Sequence, residues 1–198
     1  MSKRTDPGFS ILELLTVLAI VGMTTAAVVP AFNSIQSGLA VRNALGEVRS
    51  ILQLARSRAI ASSRHTAVRF ERDQKRFRYA IYEDGDWDGV RNDDIARRID
   101  PPIVTSREVL RGASRAWIGL PPYPVADPDS GALMKPGSSA IRFNRSMLCS
   151  FSPGGSGTSG SVFVTDGGKV TAVIRVFGGT GRIRSQRFER NLGRWVSR

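Results

Sequence analysis

The sequence predicts an α+β chain in which a long N-terminal helix leads into an antiparallel β-sheet domain. Three observations carry this. Residues 9 to 29 form an apolar run of 21 residues with one charge, Glu13. Beyond Pro30, apolar residues recur at Val41, Leu45, Val48, Leu52, Ala55 and Ala59, at spacings of 4, 3, 4, 3 and 4, the stripe of a helix with one core-facing side. From Thr66 the pattern changes to period two, the signature of strands.

The apolar run comes first. At about 1.5 Å per residue it covers roughly 30 Å, the thickness of a hydrocarbon core, so 9–29 reads as a membrane-spanning helix. Lys3 and Arg4 precede it, which holds the N-terminus in the cytoplasm and sends the rest across the membrane. A cleaved secretory signal would have a shorter apolar region without a carboxylate near its start. Glu13 is expensive in lipid, about 2.5–3.5 kcal/mol on insertion scales, so it calls for a partner or a position at the interface. Pro30 is expected to kink or loosen the helix, which continues as an amphipathic segment over 30–63. Arg42, Arg49 and Arg56 recur every seven residues beside the stripe, and Ser62-Ser63 before the β-branched Thr66 marks its end. The whole helix would be about 80 Å long, half in lipid and half on a domain.

Residues 64–198 read as β-rich. Val68 and Phe70, then Phe77, Tyr79 and Ile81, and later Ile141 and Phe143 alternate with polar neighbours. Val162–Asp166, the turn Asp166-Gly167-Gly168 and Val170–Phe177 predict a hairpin, with a last strand from near Arg182. Pro-rich 101–137 predicts loops around one or two edge strands, and 152–161 a Gly/Ser-rich loop.

Composition narrows the chemistry. The 198 residues carry 29 Lys+Arg against 17 Asp+Glu, a formal charge of +12, and most of the basic residues are Arg, which favours acidic partners. One Cys (Cys149) and one His (His65) exclude an internal disulfide and a Cys/His zinc cluster. His65 is expected to cap the helix end, and Cys149 to sit in a strand as a small hydrophobe. Ser152–Gly157 lacks the Lys-Ser/Thr of a phosphate loop. No catalytic residue and no cofactor is expected, and the protein reads as a non-enzyme.

Two constellations stand out. Asp84, Asp86 and Asp88, followed by Gly89, resemble the opening of a calcium loop, but the position of the bidentate Glu is Ile95; an acidic turn between strands is the expectation, and no metal site is assigned. The C-terminal run Arg175, Arg182, Arg184, Arg187, Arg190, Arg194 and Arg198 is offset by Glu189 alone. On a strand, Arg182 and Arg184 project from one face, where two guanidinium forks can grip phosphates. Only Phe188 and Trp195 offer an aromatic platform beside them, so base-specific readout is not expected.

Gly8-Phe9-Ser10-Ile11-Leu12-Glu13-Leu14-Leu15 resembles the leader junction of type IV prepilins and type II secretion pseudopilins, with Asp6-Pro7 where such leaders often carry a basic residue. The resemblance implies that a prepilin peptidase cuts after Gly8, that Phe9 becomes the methylated mature N-terminus, and that Glu13 pairs with the N-terminal amine of a neighbouring subunit. Leu54-Ala55-Arg56-Ser57-Arg58-Ala59, the Asp-rich segment, taken as a hairpin, the Gly-rich loop and the closing Gly181-Arg182-Ile183-Arg184 are similar to the GspH/FimT family of minor pseudopilins.

That resemblance implies a pilin-like fold with a leader (1–8), a transmembrane helix (9–29), its amphipathic continuation (30–63) and a periplasmic domain (64–198). It implies a single-pass inner-membrane protein whose partners are other pilin or pseudopilin subunits, acting in a type II secretion pseudopilus or a type IV pilus. Gly181-Arg182-Ile183-Arg184 also resembles the GRxR motif through which FimT-type competence pilins bind DNA. This implies a second role for Arg182 and Arg184, in DNA uptake.

Overall fold

The computed structural model describes residues 10–74, 76–112, 115–135 and 137–197, without the side chains of 27–34. The expected processing residues Gly8 and Phe9 lie outside the described residues. The chain divides into two compact units, 1–36 and 37–198.

Helix α1 (Ile11–Ser62) runs for 52 residues through both units, and its assignment continues unbroken through Pro30. In the first unit Ser10 caps it: the Ser10 hydroxyl accepts the Leu12 N–H at 3.3 Å, satisfying one of the donors a helix start leaves open. The hydroxyls of Thr16, Thr24 and Thr25 donate back to carbonyls three or four residues earlier, which removes their need for water. Ile11, Leu12, Leu14, Leu15, Leu18, Ile20 and Met23 are each more than half exposed, so this segment is apolar on every side and none of it is spent on a core. Among the described residues no helix is long and apolar enough to cross a membrane; the side chains of 27–34, which include the far end of the expected span, are outside that description.

In the second unit α1 builds the core. Val41, Ala44, Val48, Ile51, Leu52, Ala55 and Ala59 are all buried. The expected stripe is recovered except that Leu45 lies at its flank, half-buried, while Ala44 and Ile51 take its inner positions. Ser63 ends the helix in the left-handed region, at φ 55.

Strands β1 (Thr66–Asp73), β2 (Arg76–Glu83), β3 (Pro102–Glu108) and β8 (Leu148–Phe151) form one antiparallel sheet in the order β3-β2-β1-β8. A second sheet has the order β12-β11-β10-β9-β4, from β12 (Arg194–Ser197), β11 (Arg182–Glu189), β10 (Thr171–Phe177), β9 (Gly160–Thr165) and β4 (Trp117–Ile118). The short β7 (Ile141–Arg142) pairs with the other end of the same β9 edge. A small hairpin, β5 (Val125–Ala126) with β6 (Leu133–Met134), completes the β structure. Both large sheets and the helix feed one core, in which Phe70 and Phe143 stack at 6.1 Å and Phe151 and Phe163 are fully buried.

The chain is thus α+β with its N-terminal helix packed on antiparallel sheets. Three local expectations change. The Asp-rich segment is not a hairpin turn between strands but the approach to a short helix, α2 (Asn92–Arg97). The Pro-rich 101–137 stretch holds four strands rather than one or two. β11 is not the last strand, because β12 folds back on it through Trp195 opposite Phe188.

Cys149 lies in β8, fully buried, and burial pushes its thiol up. His65 follows the helix end, where its carbonyl accepts the Asp84 N–H at 2.9 Å; this ties helix end to loop through the backbone.

Candidate functional site

Arg182 and Arg184 open β11. The register places Arg182 opposite Phe177 and Arg184 opposite Arg175, so the two guanidinium groups share a face with those β10 residues, as period two requires. Both are exposed, while Ile183 between them is buried in the core. The Arg184 guanidinium lies 6.0 Å and that of Arg175 4.9 Å from the Phe177 ring centre.

Their charge is not neutralised locally. Arg175 pairs with Asp129, Arg187 approaches Glu189 at 3.9 Å, and Arg190 stacks on Tyr123 at 4.2 Å. Among the described residues no carboxylate forms an ion pair with Arg182 or Arg184. The basic run expected as one field is therefore divided: Arg175, Arg187 and Arg190 are engaged by neighbouring side chains, and Arg182, Arg184 and Arg194 form no ion pair among the described residues.

Gly181 is fixed by geometry. Its φ is +56, and a Cβ there would stand 2.1 Å from the Gly155 carbonyl oxygen. Only glycine allows the 152–157 loop to lie against the turn that starts β11. Arg56 of α1 bridges the same two segments, its Nε donating to the Gly155 carbonyl at 3.4 Å and its Nη2 to the Thr180 carbonyl at 3.2 Å. The Gly157 N–H adds a bond to the Gly178 carbonyl at 2.8 Å. Helix, Gly-rich loop and strand start form one locked junction, and Arg182 leaves it in a set direction.

One helical heptad earlier, Arg49 lines a notch of about 260 Å³ together with Arg182, Ile183, Arg184, Ser185 and Ser197. Sequence reasoning linked Arg182 to Arg184 but not to Arg49. The signal was present in the seven-residue spacing of Arg42, Arg49 and Arg56, which puts all three along one side of a helix.

Both expected aromatic platforms are occupied. Phe188 is buried, and Trp195 packs tilted on Phe188 and Phe163 at 5.1 and 5.8 Å, with its indole N–H donating to the Ala126 carbonyl at 2.6 Å. Phe188 is thereby closed to a base, and Trp195 is half-buried against it.

The acidic loop has its own structural account. Asp84 is buried, and its carboxylate accepts the N–H groups of Asp86, Trp87 and Gly89 at 3.2, 2.7 and 2.9 Å. Asp100, also buried, accepts those of Gly85 and Arg91. Carboxylate oxygens of Asp84, Asp86 and Asp88 come within 4.8 Å of one another, but Asp88 pairs with Arg91 and Ile95 stands where a closing Glu would be needed. Turn closure accounts for Asp84, and no metal is assigned.

Glu13 stands exposed in the first turn of α1, where the helix dipole favours a carboxylate. It belongs to the first unit.

The second unit is an α+β domain in which the helix packs on antiparallel sheets and a cationic notch lies at the start of β11. The family model described as type II transport protein GspH matches residues 44–180, and the chain belongs to this GspH/FimT family of minor pseudopilins. It is a family of structural pseudopilins rather than of enzymes, whose role lies in type II secretion with other pseudopilin subunits in the cell envelope. No match was found among curated proteins or among solved structures.

Proposed function

We propose that the protein is a minor pilin-like subunit, made as a prepilin, cut after Gly8, held in the inner membrane by residues 9–29, and built into a pseudopilus or type IV pilus. The supporting observation is the division of labour along α1. From Val41 onward most of its apolar side chains are buried in the core, Leu54 and Ile60 excepted, whereas Ile11 to Met23 are exposed on all sides and have lipid or neighbouring helices as their natural surroundings. Within such surroundings Glu13 needs a cation, and the free amine that cleavage creates on Phe9 of a neighbouring subunit supplies one. A carboxylate and an ammonium that are each costly alone in an apolar bundle favour docking where they meet.

The test is incorporation. Glu13→Ala is expected to leave the protein in the membrane fraction, cut and stable, but to remove it from sheared filaments or from crosslinks to its neighbours. Wild-type incorporation of Glu13→Ala would sink the assembly role of that residue. Uncut precursor in the wild-type protein, read by intact mass, would sink the prepilin reading itself.

A second reading is favoured by Arg182 and Arg184, two exposed guanidinium groups on one strand face without an acidic partner among the described residues. In this reading the subunit holds DNA during uptake by its phosphates. Titration of the full chain in detergent with duplex DNA, at several salt concentrations, separates the two. DNA capture predicts salt-sensitive affinity that Arg182→Ala/Arg184→Ala abolishes; pure assembly predicts weak binding indifferent to those substitutions.

A further inference from the structure

Trp117 is 46% exposed, and its ring has a built seat. A Cβ at Gly119 would stand 2.6 Å from the indole Nε1, and one at Gly167 2.5 Å from Cη2 at the opposite end of the ring. The indole therefore lies across two glycines, and a side chain at either would displace it. The ladder between β4 and β9 brings it there, with Trp117 opposite Thr165, two residues before Gly167. The other tryptophans have their rings engaged, Trp87 by the Arg64 guanidinium and Trp195 by Phe163 and Phe188. Among the described residues no guanidinium or aromatic ring stacks on Trp117.

This seat adjoins the start of the second unit. Gly167 follows Asp166, whose carboxylate accepts the hydroxyl of Ser37, the unit's first residue. Leu39, two residues further along α1, is half exposed. Cations gather at the same place. Lys169 is exposed in the turn beneath the ring, and Arg115 is exposed two residues before Trp117. Arg76 and Leu110 line one cavity of about 70 Å³ with Trp117, and Arg111, next in the chain, is exposed. The carboxylates of the region are engaged: Asp166 by the N–H groups of its turn, Glu108 by Arg76 and Glu47 by the Leu110 N–H.

We infer that Trp117, with Lys169 and Arg111 beside it, forms a membrane-facing surface whose ligand is the phosphate layer of phospholipid headgroups. The inference rests on the reading of 9–29 as a membrane span. From residue 29 to Ser37 the chain can reach at most about 28 Å, so on that reading the tether holds this surface close to the bilayer. An indole with one face on backbone and the other open is amphipathic in the way the membrane interface favours, with its N–H among headgroups and its carbons against the upper acyl chains. Lysine and arginine beside it extend their stems along the same layer and place their charges on phosphates, an attraction that anionic lipid strengthens.

The experiment uses the full chain reconstituted into phosphatidylcholine vesicles with and without phosphatidylglycerol, part of the phosphatidylcholine being brominated near the top of its acyl chains. Tryptophan quenching by the bromines is compared in wild type, Trp117→Phe, Trp87→Phe and Lys169→Ala/Arg111→Ala. Trp117→Phe is expected to lose most of the quenching and Trp87→Phe to keep it. Phosphatidylglycerol should raise the wild-type quenching about twofold, and the double variant, whose exposed side chains leave the seat intact, should lose that gain. Equal quenching in wild type and Trp117→Phe overturns the inference, whether water or another subunit covers the ring. Quenching indifferent to phosphatidylglycerol and to the double variant overturns the part given to the cations. Flotation with the vesicles tells the two readings apart: a chain that floats without quenching at Trp117 overturns this inference alone, whereas a chain that does not float overturns the membrane span and this inference with it.

Discussion

Arg56 on the helix donates to the carbonyl of Thr180, 3.2 Å away and 124 residues further along the chain. Through its Nε it reaches Gly155 as well, so one half-buried guanidinium ties together two loops that lie outside the named strands. A side chain with fewer donors could not do this: the planar fork presents several N–H groups in fixed directions, so ordering it once satisfies both carbonyls. The junction matters because β11 begins two residues later, and with it the pair of arginines at the notch.

Arg56→Ala is therefore expected to destabilise the β domain by about 1–2 kcal/mol, the worth of charge-assisted bonds at a half-buried position. Arg56→Lys should recover less than half of the loss, because one ammonium does not match both carbonyl directions. Thermal unfolding of the full chain in detergent, followed by near-UV circular dichroism, reads the difference. Identical melting of wild type and Arg56→Ala would remove the bridge from the account.

Gly181 is the other half of that junction. Gly181→Ala combines a left-handed backbone with a methyl 2.1 Å from the Gly155 oxygen, and is expected to cost about 1–3 kcal/mol. Gly179, two residues earlier, has nothing within 4 Å of a built Cβ, and Gly179→Ala should fall within about 0.5 kcal/mol of wild type. Comparing the two melting curves checks the reading; equal effects would mean that the Gly155 approach is not what selects glycine.

What the sequence made legible follows from which interactions are local. The end of the helix, the apolar stripe beyond Pro30 and the hairpin around Asp166 are set by spacing and turn chemistry within a few residues, and the helix end and the hairpin stand where expected to within a residue or two. β4, β5 and β6 are two-residue strands too short to show a period; β4 exists only because a distant strand pairs with it, Trp117 standing opposite Thr165, and β5 and β6 pair only with each other. Nothing in their own residues distinguishes them from loop. The notch shows the same limit: Arg182 and Arg184 are two apart on one strand, but Arg49 joins them only through the packing of a helix against a sheet. Phe188 and Trp195 are readable as aromatic, yet whether a ring faces solvent or core depends on the hairpin β11–β12 and the Ala126 carbonyl.

Asp84 offers a test of the acidic loop. Its Oδ1 accepts two N–H groups and its Oδ2 a third, from Gly89. In Asp84→Asn one of those oxygens becomes an NH2 group facing an N–H donor, so a buried donor is left unsatisfied. The expected cost is about 1–3 kcal/mol, although size and shape hardly change. An Asn variant that melts with wild type would show that charge and acceptor count are immaterial there, and turn closure would no longer explain the residue.

The hairpin turn at Asp166 gives a pH dependence whose sign can be worked out. Burial raises the carboxyl's affinity for its proton, but the N–H groups of Val170, Gly168 and Lys169 and the Ser37 hydroxyl of α1 outweigh it, holding the group below its ordinary value of 3.8. Three of those bonds are short, at 2.9–3.0 Å. Because the folded value is the lower one, the folded state is favoured by ionisation. The stabilisation is complete above the ordinary value and is lost as pH falls through the lowered one. Asp166→Asn keeps an acceptor but never carries the charge. Wild type should therefore be the more stable at neutral pH, with a gap that narrows below about pH 4 and closes further down. Ser37→Ala, which removes the helix's contribution to the anion, should narrow the same gap in part at neutral pH. Paired denaturation curves from pH 7 to pH 2 decide the matter: a gap that stays constant with pH would mean that the turn, not the charge, is what Asp166 supplies.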